Sequence, residues 1–232
     1  MTRDSTDDGA PRSLATLMRN AILQGQFSPG QRLIEADLTT QFKVTRGAVR
    51  EALVQLDGEG IVERERNRGA RVRPISLEEA VEITEARAVL EGLCAAKAAA
   101  GMTPEERQSL REIGARMRVA VEAGDVVTYS SVAQELHTRV REVARQATVA
   151  GLLERLRYQS VRYHFSLAGL PGRPGVGLQE HLDVIEAISG GSPEEAETAM
   201  RNHLQCVIDA LRQLAELGGT QPLLVNARTV DR

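Results

Sequence analysis

The sequence has no tryptophan, and aromatic residues make up only 3% of its 232 residues. Aromatic side chains are enriched in β-strands, whereas leucine and alanine favour helices, so this scarcity argues against a β-sandwich or β-barrel. Apolar residues still account for 42% of the chain, which is enough for a packed core. The length suits one large domain or two small ones. The composition therefore predicts a mainly α protein.

Long apolar runs and paired cysteine motifs are also missing. No stretch of 18 apolar residues occurs, which excludes an ordinary transmembrane helix. The polar, acidic start MTRDSTDDGAPR does not resemble a signal peptide, and we expect residues 1–12 to form a disordered tail. Cys94 and Cys206 lie in apolar helical patterns, which predicts two buried thiols. We expect a soluble, cytoplasmic protein without a membrane partner.

Charge is distributed unevenly along the chain. The net charge is −3, but residues 11–74 carry 11 Lys and Arg against 7 Asp and Glu, a net +4. Residues 75–232 carry 17 against 22, a net −5. A basic segment ahead of an acidic remainder is consistent with a nucleic-acid-binding module joined to a second domain.

The first segment has the element order of a winged helix-turn-helix domain, which we place at residues 13–74. Apolar spacing predicts helices over 13–25, 35–42 and 46–57, with Thr45 as the N-cap of the third. Strand-like residues at 61–66 and 70–74 flank Asn67-Arg68-Gly69, which predicts a hairpin with glycine supplying the positive φ.

The third predicted helix carries the residues suited to DNA. In such a domain this helix enters the major groove with its N-terminal residues toward the bases. Arg46 and Arg50 lie on one side of it, and Gly47 permits close approach. Its core side is formed by Val49, Ala52, Leu53 and Leu56. The hairpin adds a second cationic surface, formed by Arg64, Arg66, Arg68, Arg71 and Arg73.

The remaining sequence is predicted to be entirely helical over 76–217. Three capping sequences begin at Ser76, Thr103 and Ser192, each with glutamate at the third helical position. The predicted helices span 77–100, 104–123, 125–145, 148–168, 179–190 and 193–217. The glycine- and proline-rich residues 168–177 predict a loop, and residues 218–232 a loose tail.

Three of the four histidines, His137, His181 and His203, fall on separate predicted helices of this domain. Helical bundles build metal sites from facing helices, and imidazole suits Zn²⁺ or another divalent transition metal. No HxxxH pair occurs, so spacing alone does not separate a metal site from surface or core histidines.

Residues 22–72 resemble the DNA-binding domain of the GntR family of bacterial regulators. The resemblance is carried by Pro29-Gly30, VTRGAVREAL at 44–53, Gly60-Ile61-Val62 and Arg68-Gly69. It implies that double-stranded operator DNA is contacted by Thr45, Arg46, Gly47, Arg50, Arg68 and Gly69. The chain departs from many relatives at Gly47-Ala48, where they often have Thr-Pro or Thr-Thr, and at Ala36, where they often carry a DNA-contacting arginine.

Residues 76–217 resemble the FadR-type C-terminal domain, an antiparallel helical bundle that encloses a ligand cavity. Arg87, His137, Glu180-His181 and His203 carry this resemblance. It implies a metal held by the three histidines. It also implies that Arg87 binds an effector carboxylate, with an intrahelical pair to Glu91 as the alternative.

One position departs from the metal-binding pattern of that domain. Metal-binding relatives carry aspartate one turn before the first histidine, where this chain has Ala133. Gln134 and Glu135 lie at the wrong angle on a regular helix to replace it. We therefore expect weaker metal affinity than in those relatives. A cavity that binds no metal is the alternative.

These patterns predict a ligand-responsive transcriptional regulator that acts as a homodimer, with a small organic acid as effector. We expect a repressor that binds a palindromic operator rather than an enzyme. Three alternatives stay open: a metal-dependent hydrolase, a metal sensor, and a constitutive DNA-binding protein whose helical domain only dimerises. The hydrolase is disfavoured because the sequence has no nucleophile motif or phosphate loop.

Overall fold

A computed structural model describes residues 13–23, 25–65, 69–168, 170 and 172–216, with the backbone alone at 65, 157–166 and 168. The chain divides into two compact units between Pro74 and Ile75. The expected tails at 1–12 and 218–232 lie outside the described residues. Within the described residues, no helix combines the length and apolar character needed to cross a membrane.

The N-terminal unit is a winged helix-turn-helix, as predicted. It comprises α1 (Leu14–Leu23), β1 (Arg32–Leu33), α2 (Glu35–Phe42), α3 (Arg46–Gly58), β2 (Val62–Glu65) and β3 (Gly69–Val72). β2 and β3 form the antiparallel hairpin of the wing. β1 pairs with the other edge of β3, giving the order β1-β3-β2. The sequence analysis missed β1, because two residues are too short for an alternation pattern.

Local backbone chemistry sets the position of α3, which we call the recognition helix. Lys43 adopts the left-handed conformation (φ 54°) and makes the tight turn after α2. Thr45 then caps the recognition helix by accepting a hydrogen bond from the Ala48 amide at 3.2 Å. The other side of the helix is buried through Val49, Ala52, Leu53 and Leu56, as predicted.

An ion pair fixes the far end of the recognition helix. Arg19 of α1, only 8% exposed, donates from Nε and an NH2 group to both carboxylate oxygens of Glu59, at 2.8 and 2.6 Å. This bidentate geometry is a strong form of the arginine–carboxylate contact. It joins α1 to the residue that follows the recognition helix.

The C-terminal unit is an all-helical antiparallel bundle. Its helices are α4 (Leu77–Gly101), α5 (Pro104–Glu122), α6 (Val126–Val143), α7 (Ala147–Ala168), α8 (Arg173–Gly190) and α9 (Pro193–Glu216). The hydroxyls of Ser76, Thr103 and Ser192 accept hydrogen bonds from the amides three residues on, so all three predicted helix starts are confirmed. Leucine, alanine, valine, methionine and isoleucine dominate the core.

Two expectations for this unit are wrong. The predicted loop over 168–177 is helical from Arg173, six residues before the predicted start of α8. Gly172 turns the chain with φ 77°, and Pro174 is tolerated because amides in the first helical turn have no intrahelical acceptor. Cys94 is buried as predicted, but Cys206 is exposed. It lies on the solvent side of α9, beside the apolar residues rather than among them.

Candidate DNA-binding surface and histidine cavity

The start of the recognition helix presents the predicted DNA-contacting residues at the surface. Thr45, Arg46, Gly47 and Arg50 are all exposed. A Cβ built at Gly47 would meet nothing closer than the Thr45 hydroxyl at 3.8 Å, so packing within the unit does not require glycine there. The arrangement leaves the side chains of Arg46 and Arg50 facing solvent, which suits contacts with base edges and phosphates.

Arg50 has a partner that the sequence analysis missed. Its Nε donates to both carboxylate oxygens of Glu35 on α2, at 3.0 and 2.9 Å. The Arg50 side chain is nevertheless 66% exposed. An exposed pair of this kind contributes little stability. It restricts where the guanidinium can point.

The wing supplies the second cationic surface. Gly69 has φ 87°, which confirms the positive φ expected of it, and begins β3. Arg71 and Arg73 lie 2.8 and 3.8 Å from the Glu63 carboxylate. Arg64 is exposed on β2. Arg66 and Arg68, both named as wing arginines from the sequence, lie outside the described residues.

The C-terminal unit contains a cavity whose wall follows the helical repeat. Residues four apart on α6 line one side, namely Tyr129, Ala133, His137 and Arg141. Arg173, Gly177 and His181 do the same on α8. Arg87 lines it from α4, and His203, Leu204 and Val207 from α9. The cavity therefore combines cations, imidazoles and an apolar side, as small-molecule sites commonly do.

The histidine cluster, formed by His137, His181 and His203, brings three helices together at this cavity. One ligand nitrogen from each ring lies within 4.8 Å of the others. The ring centroids are 4.3 Å apart for His181 and His203, and 5.3 Å apart for His137 and His203. His181 and His203 are only 6% and 5% exposed.

Each ring is oriented through its Nδ1 atom. His137 Nδ1 donates to Glu91 at 2.5 Å, and His203 Nδ1 donates to Glu180 at 3.0 Å. His181 Nδ1 donates to the Gly177 carbonyl at 2.5 Å, with the Tyr129 hydroxyl 3.2 Å from the same nitrogen. These contacts leave Nε2 as the atom of each ring that can bind a metal, which is the arrangement that orients histidine ligands in metalloproteins.

Burial controls the protonation of His181 and His203. Burial, reinforced by the neighbouring rings, holds the pKa of His181 well below its usual range. Burial also lowers the pKa of His203, although Glu180 opposes the effect. Neutral imidazole is the form that ligates a metal.

Glu91 and Glu180, which we call the backing carboxylates, stand behind the rings, and each is shared with an arginine. Glu91 accepts from Arg87 at 2.7 Å, and Glu180 accepts from Arg173 at 2.9 Å. Burial alone would raise the pKa of Glu91, but Arg87 and His137 hold it well below its usual range. Arg87 therefore makes the intrahelical pair considered from the sequence and also lines the cavity.

The chemistry of the donor set fits a divalent transition metal. Three imidazoles on facing helices, each with its Nδ1 engaged, match the requirements of Zn²⁺ and similar ions. His137, His181 and His203 form the one such group found among the described residues, and no carboxylate belongs to it. Ala133 lines the cavity one turn before His137. Of its two neighbours, Glu135 pairs with Arg116 outside the group of cavity-lining residues, whereas Gln134 lines the cavity.

The sequence analysis missed several of the cavity residues. Tyr129 and Arg141 precede and follow His137 at multiples of four, so helical periodicity was a usable signal for both. Arg173 and Gly177 fell in the predicted loop, which hid their spacing from His181. The roles of the backing carboxylates depend on tertiary contacts between helices.

A winged helix-turn-helix unit followed by a helical bundle with a polar cavity defines a transcriptional regulator. Family models agree with this class: residues 12–72 match "Bacterial regulatory proteins, gntR family" and residues 82–205 match the FCD domain. The chain belongs to the GntR family of bacterial transcriptional regulators and carries an FCD domain.

Curated relatives support this assignment, and solved structures share the fold. The HTH-type transcriptional repressor RspR of Escherichia coli is 24% identical over 86% of this chain and 88% of its own length. The Uxu operon regulator of Haemophilus influenzae is 26% identical over 88% of this chain and 82% of its own length. The fold is similar to E. coli McbR/YncC, with a TM-score of 0.75 and 20% identity over 87% of this chain and 96% of that one. A GntR regulator from Rhodococcus sp. RHA1 has a TM-score of 0.70 and 24% sequence identity, over 90% of this chain and 97% of that one.

Proposed function

We propose that this regulator is a ligand-responsive repressor that binds a palindromic operator as a homodimer and senses a small organic acid. The proposal rests on the cavity, where arginine side chains and the histidine cluster lie next to apolar residues. A guanidinium group suits a carboxylate, and the apolar residues Leu204 and Val207 suit a short carbon skeleton. The name of RspR, which describes a repressor, supports the sign of regulation.

We assign the DNA contacts to the recognition helix and the wing. Thr45, Arg46, Gly47 and Arg50 would meet one half-site, while Gly69 and Arg68 would meet the flanking backbone or minor groove. A two-fold dimer would present two such surfaces to the two halves of a palindrome. The effector acts if it binds two arrangements of the dimer with different affinity.

In the cavity, we assign metal binding to the histidine cluster and carboxylate binding to Arg87. Zn²⁺ or another divalent transition metal would supply a Lewis-acidic centre for an oxygen atom of the effector. The protein's own contribution is orientation: the backing carboxylates hold two rings, and the Gly177 carbonyl holds the third.

Thermal unfolding against a panel of organic acids tests this function. The panel includes hydroxy, sugar, amino and aromatic acids, and is run before and after metal is stripped with a chelator. An acid at 100 times its Kd adds about 2.7 kcal/mol of stability, which is a rise in Tm of roughly 5–10 °C for a domain of this size.

Each outcome of the panel assigns a function. A rise in Tm that disappears when the metal is stripped supports a metal-assisted acid sensor. A rise that survives stripping supports an acid site formed by Arg87 and the apolar side without a metal. A response to metal ions without any acid, accompanied by metal-dependent DNA binding, would replace the proposal with a metal sensor. No response to any acid or metal would replace it with a domain that only dimerises.

Arg46→Ala and Arg50→Ala are each expected to weaken binding to DNA selected by the wild-type protein. The loss should be about 1–3 kcal/mol, because each arginine would contribute a bidentate base or phosphate contact. The fold should survive, since both side chains are exposed. Fluorescence anisotropy at fixed salt measures the affinity, and circular dichroism checks the fold.

Arg111→Ala provides the matched control for the two arginine variants. Arg111 is an exposed arginine on α5 of the C-terminal unit, so its replacement removes the same charge from a different domain. It should leave DNA affinity within twofold of the wild type. Equal behaviour of all three variants would show that the recognition helix does not bind DNA.

A further inference from the structure

Glu35 and Arg50 form an ion pair between two helices of the N-terminal unit. Glu35 is the first residue of α2, and Arg50 lies in the second turn of the recognition helix. Arg50 Nε donates to both carboxylate oxygens, at 3.0 and 2.9 Å. Among the described residues, Arg50 makes no other hydrogen bond or ion pair. The contact therefore uses the Nε donor of the guanidinium and leaves both of its terminal NH2 groups for a ligand.

The packing of α2 gives the Glu35 carboxylate a rigid support. Leu38, one turn further along α2, is 1% exposed, and its amide donates to the Ile34 carbonyl at 3.0 Å. The Val44 amide donates to the Thr39 carbonyl at 3.2 Å, which ties α2 to the segment that leads into the recognition helix. A side chain that orients another one acts only if its own backbone is held in this way.

The carboxylate also changes which part of DNA suits Arg50. A phosphate brought to this guanidinium would lie close to the negative charge of Glu35, and like charges repel. A guanine edge instead presents two uncharged acceptors, O6 and N7, which match a pair of arginine N–H donors. The Arg50 side chain is 66% exposed, so its terminal NH2 groups can reach such an edge. The ion pair therefore favours a base contact over a phosphate contact.

Building on the proposed function, which assigns Arg50 to the operator, we propose that Glu35 is a positioning residue that determines DNA specificity. It holds Arg50 through Nε, so that both terminal NH2 groups meet one guanine in each half-site. Glu35 acts through Arg50 and not by a contact of its own with DNA. Because the pair already restricts the Arg50 side chain in the free protein, less side-chain freedom is lost on binding. Discrimination at that base pair then depends on both residues.

Binding of the full-length protein to a set of duplexes tests this role. One duplex is selected by the wild type from a random pool, and the others carry single base-pair changes or a scrambled sequence. Fluorescence anisotropy at one salt concentration gives the ratio of the Kd for the scrambled duplex to the Kd for the selected one. We expect Glu35→Ala to lower this ratio by about fivefold or more, the lower end of the discrimination that one bidentate arginine provides.

Two comparisons show whether the effect passes through Arg50. The single base pair relaxed by Glu35→Ala should be the one that Arg50→Ala relaxes, and adding Glu35→Ala to Arg50→Ala should change the ratio no further. Asp37→Ala is the matched control, because Asp37 is an exposed acid in the same turn of α2 and has no ion-pair partner among the described residues. Its ratio should equal that of the wild type. Circular dichroism checks the fold, which should survive because exposed ion pairs contribute little stability.

Failure of this inference and failure of the proposed DNA surface give different results. If Arg50→Ala relaxes one base pair but Glu35→Ala leaves the ratio unchanged, or shifts the affinity for all duplexes by the same factor, only the positioning role of Glu35 is wrong. Relaxation at a different base pair would also overturn that role, because it would indicate a direct contact between Glu35 and DNA. If Arg50→Ala itself leaves the affinity for the selected duplex unchanged, the assignment of Arg50 to the operator fails as well.

Discussion

Glu91→Gln is expected to destabilise the C-terminal unit by about 3–5 kcal/mol, the usual cost of removing one partner from a buried ion pair. Glu91 is 2% exposed and Arg87 is 4% exposed. Their carboxylate–guanidinium contact at 2.7 Å and the 2.5 Å bond to His137 both use the charge of Glu91. Glutamine has nearly the same size, so a cavity would not explain the loss. Urea unfolding followed by circular dichroism measures it.

Glu85→Gln is the matched control for that prediction. Glu85 lies on the same helix and pairs with Arg212 at 3.5 Å, but both side chains are more than half exposed. Exposed pairs contribute roughly 0–1 kcal/mol, so this variant should unfold close to wild type. If Glu91→Gln also costs less than about 1 kcal/mol, the buried pair does not stabilise the bundle as the structure implies.

Gly177→Ala is expected to cost about 1–3 kcal/mol of unfolding free energy, the typical range for overpacking a core. A Cβ at this position would lie 2.5 Å from the Tyr129 hydroxyl and 3.3 Å from an Arg173 guanidinium nitrogen. Tyr129 is 5% exposed and its hydroxyl lies against His181, so it has little room to move. The substitution would therefore disturb both the packing of α6 on α8 and the orientation of His181.

Two further variants separate this clash from a general effect of helix glycines. Gly175 lies in the first turn of the same helix, and a Cβ there would meet nothing within 4 Å. Gly175→Ala should be neutral or stabilising by up to about 1 kcal/mol, because alanine favours helix. Tyr129→Phe removes the hydroxyl oxygen that the added methyl group would strike, so combining it with Gly177→Ala should recover stability. Strict additivity of the two changes would refute the proposed clash.

The element pattern was largely predictable because it depends on local chemistry. The recognition helix was found from the Thr45 cap and from Val49, Ala52, Leu53 and Leu56, which recur at helical spacing. Three of the bundle helices, α4, α5 and α9, were found from their capping sequences at Ser76, Thr103 and Ser192. The start of α8 was missed because glycine and proline near 172–177 resemble a loop, although both residue types are compatible with a helix start.

Helical periodicity also predicted part of the cavity wall. It could not show which other helices complete that wall. Tyr129, Ala133, His137 and Arg141 repeat every four residues, which predicts one shared face of α6. Nothing in that repeat says which other helix the face meets. The convergence of His137 with His181, 44 residues later, needed the packed bundle.

The sequence by itself determined the class of protein, the helices and hairpin, and the residue types available for binding DNA and metal, because caps, turns and apolar spacing act over a few residues. Tertiary structure alone decided that Glu91 supports His137, that Glu180 supports His203, and that Glu35 holds Arg50. These contacts join residues on different helices, and a hydrogen bond forms only when packing brings its two atoms within about 3 Å. No local pattern encodes that approach.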